Sequence, residues 1–335
     1  MAVTEQCFRV EMTEPGILED LCLRPVSRRK PGPEEVEIRV VSVGLNFAEL
    51  MKALGAYPGN QLDTPEHEPV TFGGDCSGTV LSVGADVSRF RPGDRVVAYS
   101  REVFSSHTTL PEVFVAKIPE HIGYDEAATI PVAYATAYYA LYRKAALRRN
   151  ERVLIHAAAG GVGQAAVQLC QLAGAEIWAT AGNDEKRAFL RDQGVPHVMS
   201  SRSLEFVDRI REQTGGCGVD VILNSLCGEF LSGSLSVLAR FGRFLEIGKR
   251  DIYENRMLGL YPFRNNLTFY GIDLLQASPG DSGILFAELM GYFERKELGP
   301  LPYRVFPIGD VARAFRWMRR AAHIGKVVVR LAEDE

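Results

Sequence analysis

Up to about residue 124 the apolar residues come in short runs cut by glycine and proline: "EVEIRVVSVGL", "SGTVLSVGADV", "GDRVVAYS" and "FVAKIP". Short strands separated by frequent turns predict a small, barrel-like, mostly β unit. From residue 125 the rhythm changes. Strand-like "RVLIHAA", "EIWATA", "HVMSS", "VDVILNSL", "RFLEIG" and "LTFYGIDL" alternate with helical "GVGQAAVQLCQLAG", "EKRAFLRDQG", "LEFVDRIREQTG" and "FLSGSLSVLARFG". Six apolar strands joined through helices predict a parallel, doubly wound sheet over 125–275, an α/β architecture. After Asp273 come a helix in "GILFAELMGYFERKEL", a strand near Tyr303 to Pro307, a helix from Gly309 and a last strand in "KVVVRL". These pieces are too few to form a domain, so 276–335 is expected to return to the unit begun by 1–124.

Composition narrows the function classes. The 335 residues carry 38 Lys and Arg against 42 Asp and Glu, a net charge of −4. Neither sign forms a long block, which argues against a dedicated nucleic-acid binder. The six cysteines are far apart with no C-x-x-C, and are read as buried free thiols of a reducing compartment. The first residues, "MAVTEQCFRVEMTEPG", are polar and acidic where a secretion signal would be basic and then apolar, and no long uninterrupted apolar stretch occurs. A cytoplasmic protein without membrane contact is expected.

The chemistry concentrates at "RVLIHAAAGGVG". Ala158, Gly160 and Gly163 occupy the three small positions of a G-x-G-x-x-G fingerprint where a strand turns into a helix, the mark of a dinucleotide-binding Rossmann domain. Gly160 would let the backbone approach a pyrophosphate, Gly163 would let helix pack on strand, and the helix N-terminus supplies N–H groups and a positive dipole end. Sites for NAD usually place an acid at the end of the second strand to bind the ribose. Here Thr180, Ala181 and Gly182 stand there instead. Lys186 and Arg187 follow, and Arg202 comes after the third strand. Cations near a ribose without that acid favour a 2′-phosphate, hence NADPH. Asp184 and Glu185 oppose this reading, and a solvated helix face would also explain Lys186 and Arg187.

The whole chain resembles the medium-chain dehydrogenase/reductase superfamily, and within it the enoyl reductase domains of type I polyketide synthases. The resemblance is carried by "VGLNFAELMKALGAYPG", "FGGDCSGTVLSVG", "RPGDRVVA", "AAAGGVGQAAVQL", "GVDVILNSL", "RFLEIGKRDI" and "IGKVVVRL". It implies a GroES-like substrate domain beside the Rossmann domain, with cofactor contacts at Asn46, Gly161, Val162, Thr180, Asn224, Leu226, Gly248 and Lys326. It also implies NADPH-dependent reduction of an enoyl chain borne on an acyl carrier protein, among neighbouring domains of a polyketide synthase. Hydride addition to the β-carbon leaves charge on the thioester oxygen, and the α-carbon then needs a proton. The resemblance assigns that work to Tyr57, Lys249 and Asp273. An ion pair with Asp273 would orient Lys249 at the carboxyl edge of the sheet, and the residue at Tyr57 tends to track the stereochemistry of protonation. The zinc pattern of related alcohol dehydrogenases is missing: "GGDCSG" replaces Gly-His-Glu, and the run of closely spaced cysteines is absent. No metal is expected, and His67 and Cys76 are read as structural. One departure is Ala48, where the family commonly has arginine. Three alternatives share the fold: a free-standing quinone oxidoreductase, a cyclopropane-forming reductase, and a non-catalytic cofactor-binding module.

Overall fold

The computed structural model describes residues 7–57, 69–100, 102–276 and 278–332. The chain divides into two compact units, 1–132 with 278–335, and 133–277. Along the first come β1 (Phe8–Met12), β2 (Cys22–Pro25), β3 (Glu35–Leu45), α1 (Phe47–Ala53), β4 (Val70–Thr71), β5 (Gly74–Val83), β6 (Arg95–Ser100), β7 (His107–Pro111), β8 (Val115–Lys117) and α2 (Tyr124–Ala127). Helix α3 (Pro131–Tyr138) leads into the second unit: β9 (Arg152–Ile155), α4 (Gly161–Ala173), β10 (Glu176–Ala181), α5 (Asp184–Asp192), β11 (His197–Ser200), α6 (Glu205–Gln213), β12 (Val219–Asn224), α7 (Glu229–Leu235), β13 (Leu238–Glu246), α8 (Arg250–Tyr253) and β14 (Thr268–Gly271). The chain returns through α9 (Pro279–Glu294), β15 (Tyr303–Pro307), α10 (Val311–Arg319) and β16 (Lys326–Arg330).

In the first unit β3 is the organising strand. It pairs with β5 along most of its length, with β7 near its start and with β16 near its end. Register shifts between Glu37 and Ile38 and between Val40 and Ser42 bend it, so that one strand can serve successive neighbours of a curved, barrel-like sheet. Parallel pairing of β15 with β16 adds the returning segment to the same sheet. The core joins Val36, Ile38, Val43 and Leu45 of β3 to Phe315 of α10, whose ring meets Phe72 edge-on at 5.5 Å.

The second unit is a six-stranded sheet in the order β11-β10-β9-β12-β13-β14, every pair parallel. The order of strand addition reverses between β9 and β12, and ligands of such sheets bind outside the carboxyl ends of the strands at that switch. Two local findings differ from the sequence expectations. "FLSGSLSVLARFG" is not one helix: α7 stops at Leu235, and β13 starts at Leu238 by pairing with Val219. Leu235 and Leu238 stand at the helical i, i+3 spacing, and the parallel pairing with β12 prevails over it. Residues 131–144 form α3 and a continuing π-helical stretch, Tyr139–Lys144, unmarked by amphipathic spacing. Ala133, Tyr134, Ala135, Ala137 and Ala140 are all buried, so the helix has no broad polar face to reveal its period. The cysteines also divide: Cys7, Cys76 and Cys170 are buried free thiols, whereas Cys22, Cys217 and Cys227 are exposed. Among the described residues no helix is long and apolar enough to cross a membrane.

Candidate active site and its relatives

The turn after β9 is built from small residues for two separable reasons. A Cβ on Gly163 would lie 2.6 Å from the Ala157 carbonyl oxygen and 2.6 Å from Ala158 Cα, so α4 can seat on the turn only with glycine there. At Gly160 a Cβ would meet only the Ala157 oxygen, at 3.4 Å. The protein's own packing does not demand that glycine, which leaves approach from outside as the reason for the bare backbone. Gly160 caps α4, Gly161 and Val162 open its first turn, and buried Ala158 donates its N–H to the Thr180 carbonyl at 2.9 Å. This hydrogen bond ties the turn to β10.

Thr180 itself is fully buried, and its hydroxyl hydrogen-bonds His156 Nδ1 at 2.9 Å. Nε2 of the same imidazole meets Ser234 Oγ at 2.8 Å, and burial lowers the His156 pKa to about 3, so a neutral ring bridges the two hydroxyls. Thr180 therefore supports the turn through backbone and core contacts. The cations lie just beyond. Asn183 caps α5 by accepting the Lys186 N–H at 2.9 Å, and the Arg202 guanidinium lies 3.1 Å from where a Gly182 Cβ would sit. Burial, and secondarily the charge of Arg202, depresses the Lys186 pKa. Asp184 does not neutralise this pair, because Arg187 engages it at 2.5 Å.

At the carboxyl ends of β12 and β13 the side chains form a closed polar knot. Asn224 Nδ2 donates to Leu226 O at 2.7 Å and to Glu246 Oε2 at 2.5 Å, and Gly248 N–H donates to Glu246 Oε1 at 2.6 Å. Burial raises the Glu246 pKa to about 8 against those two donors, with Asp251 adding to the rise. The knot fixes the course of residues 246–248, and Lys249 follows as the cap of α8, three residues past β13. Lys249 Nζ is ion-paired with Asp273, which stands two residues past β14. Both side chains are about one-quarter exposed, at 24% and 27%. Sequence reasoning missed Glu246. Its signal was an acid inside the otherwise apolar "RFLEIG".

The first unit holds a second polar group. Lys326 Nζ, 4% exposed, donates to Asp75 Oδ2 at 2.6 Å and to Asn46 Oδ1 at 2.7 Å. Asp75 also accepts the Val132 N–H at 2.6 Å and Asn46 Nδ2 at 3.1 Å. Glu49, likewise buried, has Lys52 at 3.8 Å, while its Oε2 has no hydrogen-bond partner and its pKa is pushed up to about 7, chiefly by burial. Asp75 and Glu49 carried no sequence expectation, although an acid in the strand "GGDCSG" was the available sign. Tyr57 is half-buried after α1, and His67 lies outside the described residues.

Two family profiles match the chain: the alcohol dehydrogenase GroES-like domain over residues 32–140 and the zinc-binding dehydrogenase over 161–282. Fold and profiles together define a medium-chain dehydrogenase/reductase. The crystal structure of CurK enoyl reductase is similar with a TM-score of 0.88 and 39% identity over 98% of this chain and 100% of that one. The CurF ER cyclopropanase from the curacin A biosynthetic pathway is similar at 0.90 and 38% identity, again covering 98% and 100%. Among curated proteins, a phenolphthiocerol/phthiocerol polyketide synthase of Mycobacterium tuberculosis is 40% identical over 328 residues, 97% of this chain and 15% of that protein. Compactin diketide synthase mlcB of Penicillium citrinum is 41% identical over 341 residues, 98% of this chain and 13% of that protein. The chain belongs to the enoyl reductases of polyketide synthases. It spans about 15% of the length of the first of these synthases.

The zinc of one profile's description does not fit the residues present. The Asp75 carboxylate is occupied by the Lys326 ammonium, by Asn46 and by a backbone N–H, and the Cys76 thiol is buried in the core with its pKa raised by desolvation. Among the described residues no three His, Cys, Asp or Glu side chains group as a metal site. A nicotinamide dinucleotide does fit the bare backbone at Gly160, the helix start beyond it and the cations Lys186 and Arg202.

Proposed function

We propose that the chain uses NADPH to reduce the α,β-double bond of an enoyl thioester carried on an acyl carrier protein. The observation that carries this reading is the Lys249–Asp273 pair, held past the carboxyl ends of β13 and β14 in the same sheet whose β9–α4 turn leaves Gly160 bare. Gly160, Gly161 and Val162 would face the pyrophosphate, Lys186 and Arg202 the 2′-phosphate, and Leu226 and Gly248 would line the path of the cofactor. Asn46 and Lys326 are the remaining cofactor contacts that the resemblance implies. The bound nicotinamide supplies hydride to the β-carbon.

The protein's work is then to manage charge and a proton. As hydride adds, the double-bond electron pair moves onto the α-carbon and thioester oxygen, and the Lys249 ammonium stabilises that enolate. Asp273 limits the lysine's rotamers. Protonation of the α-carbon completes the reduction, with the proton delivered by the Tyr57 hydroxyl or by Lys249. Asn224 and Glu246 are positioning residues, because they fix the backbone from which Lys249 projects. The test is NADPH oxidation with crotonyl and 2-methylcrotonyl thioesters beside a quinone. Reduction of the quinone but of neither thioester would overturn the proposal. The likeness to the CurF cyclopropanase supports a second reading, in which the enolate of a halogenated enoyl chain expels halide and closes a cyclopropane. Product analysis with a γ-halogenated enoyl thioester separates the two.

A further inference from the structure

One acid of the first unit is buried with almost nothing to bind it. Glu49 stands in the first turn of α1 and is 4% exposed. Lys52, a turn further along, holds its ammonium 3.8 Å from Oε1, and Oε2 has no hydrogen-bond partner among the described residues. The donors close by are committed elsewhere. Lys326 Nζ bonds Asp75 and Asn46, while Asn46 Nδ2 is directed to Asp75 and the Gly44 carbonyl. Gly74 (φ +101°) lets these groups crowd together, because a Cβ there would lie 2.6 Å from Asn46 Nδ2 and 3.5 Å from Glu49 Oε2.

A buried carboxylate with an orphaned oxygen loses its hydration without replacement, and holding a proton removes the charge that made this costly. Among the described residues the charges acting on Glu49 are Lys52 of its own helix, Lys326 of β16 and Asp75 of β5. Helix α10 also packs on α1, but the residues it buries, Val311, Ala314, Phe315 and Met318, carry no titratable group. Burial outweighs both lysines, hence the rise of the Glu49 pKa to about 7. Two lysines and one carboxylate leave this cluster at a charge of +1 while Glu49 keeps its proton, and at zero once it ionises. An anion brought to Lys326 and Asn46 meets that difference. By the same coupling, the anion's charge favours the protonated form of the acid.

We propose that Glu49 couples cofactor binding to pH: it takes up a proton from solvent as the anionic dinucleotide engages Lys326 and Asn46, and its ionisation weakens that engagement. This inference rests on the cofactor reading above, in which Asn46 and Lys326 contact the dinucleotide. Calorimetric titration of NADPH between about pH 6 and about pH 8.5, in pairs of buffers with different ionisation enthalpies, counts the protons taken up per cofactor bound. Wild type is compared with Glu49→Gln and with Glu49→Leu, the second because an apolar side chain leaves no orphaned amide. Lys186, Glu246 and the cofactor's own 2′-phosphate are present in all three titrations, so the difference belongs to Glu49. Wild type should take up about 0.3–0.5 proton more than either variant, with the maximum just above pH 7, and its affinity should fall about three- to tenfold more across the range. A merely structural role would change affinity equally at every pH. Proton uptake that is the same in wild type and variants, or an affinity whose pH dependence survives both substitutions, overturns the proposal. Infrared difference spectra of wild type need no variant: NADPH added at about pH 7.5 should increase the band of protonated carboxyl groups, and no increase also overturns it. If wild type binds no NADPH, the cofactor reading fails and this inference with it; NADPH binding without the Glu49-dependent uptake refutes the inference alone.

Discussion

Cofactor choice is the sharpest consequence of the geometry after β10. Arg202 lies over Gly182, Lys186 is held at the start of α5 with its pKa lowered by burial and by Arg202, and the nearby Asp184 is engaged by Arg187. A 2′-phosphate placed between the two cations would gain charge-assisted hydrogen bonds worth about 1.5–3 kcal/mol each, against nothing comparable for a ribose hydroxyl. Arg202→Ala should therefore weaken NADPH by roughly 10- to 150-fold and leave NADH nearly unchanged. The Lys186→Ala/Arg202→Ala double variant should lose less than the sum of the single losses. Removing one cation relieves the like-charge pressure on the other, so neighbouring sites do not add. The same logic predicts that the Lys186 pKa rises toward its ordinary value in Arg202→Ala, readable by NMR of the labelled lysine. The binding assay is calorimetric titration of NADPH and NADH at one fixed ionic strength, because exposed charge pairs are screened by salt. Equal wild-type affinity for the two cofactors, or an unchanged NADPH-to-NADH ratio in the double variant, would refute the reasoning.

Four further outcomes follow from single sites. Gly160→Ala should fold with normal stability yet bind NADPH more weakly, whereas Gly163→Ala should lower the melting temperature, because only at Gly163 does a Cβ collide with the protein's own backbone; thermal scans paired with titration check both. Lys249→Ala should lower turnover on crotonyl thioester by about 10²-fold or more with cofactor affinity kept, while Tyr57→Phe on a 2-methyl enoyl thioester should lower the rate modestly and change the α-configuration seen by chiral chromatography. Glu246 has a pKa raised to about 8 in the fold, so it stays protonated to higher pH folded than unfolded; its stabilisation is full below the unfolded pKa and is lost as pH rises through about 8, at up to ~1.4 kcal/mol per pH unit. Glu246→Gln should remove that slope in urea denaturation, and an unchanged slope would show that the carboxyl is ionised in the fold. Lys326→Met leaves buried Asp75 without its cation and should cost about 3–5 kcal/mol, with Lys326→Met/Asp75→Leu recovering part of it; a loss under about 1 kcal/mol would show the pair to be solvated.

The parts of this protein legible from sequence are those that local physics writes locally. Strands β9, β10 and β12 stand out because strands covered on both faces must be apolar almost throughout, and the glycine turn because a backbone that lets helix or ligand approach must discard its side chains. Lys186 and Arg202 could be named as cations, but their proximity depends on β10 and β11 being parallel neighbours. Three things were decided only by tertiary structure. The break of "FLSGSLSVLARFG" into helix and strand follows from pairing with β12, which overrides a helical apolar spacing. Helix α3 was invisible because burial on nearly all sides erases amphipathic contrast. The partnerships of Asp75 with Lys326, 251 positions apart and on strands separated by β3, and of Glu246 with Asn224 on neighbouring strands are properties of the assembled sheets. A buried charge needs a partner, yet nothing along the chain says which one, because the low dielectric that makes the pairing necessary exists only once the sheet has closed around it.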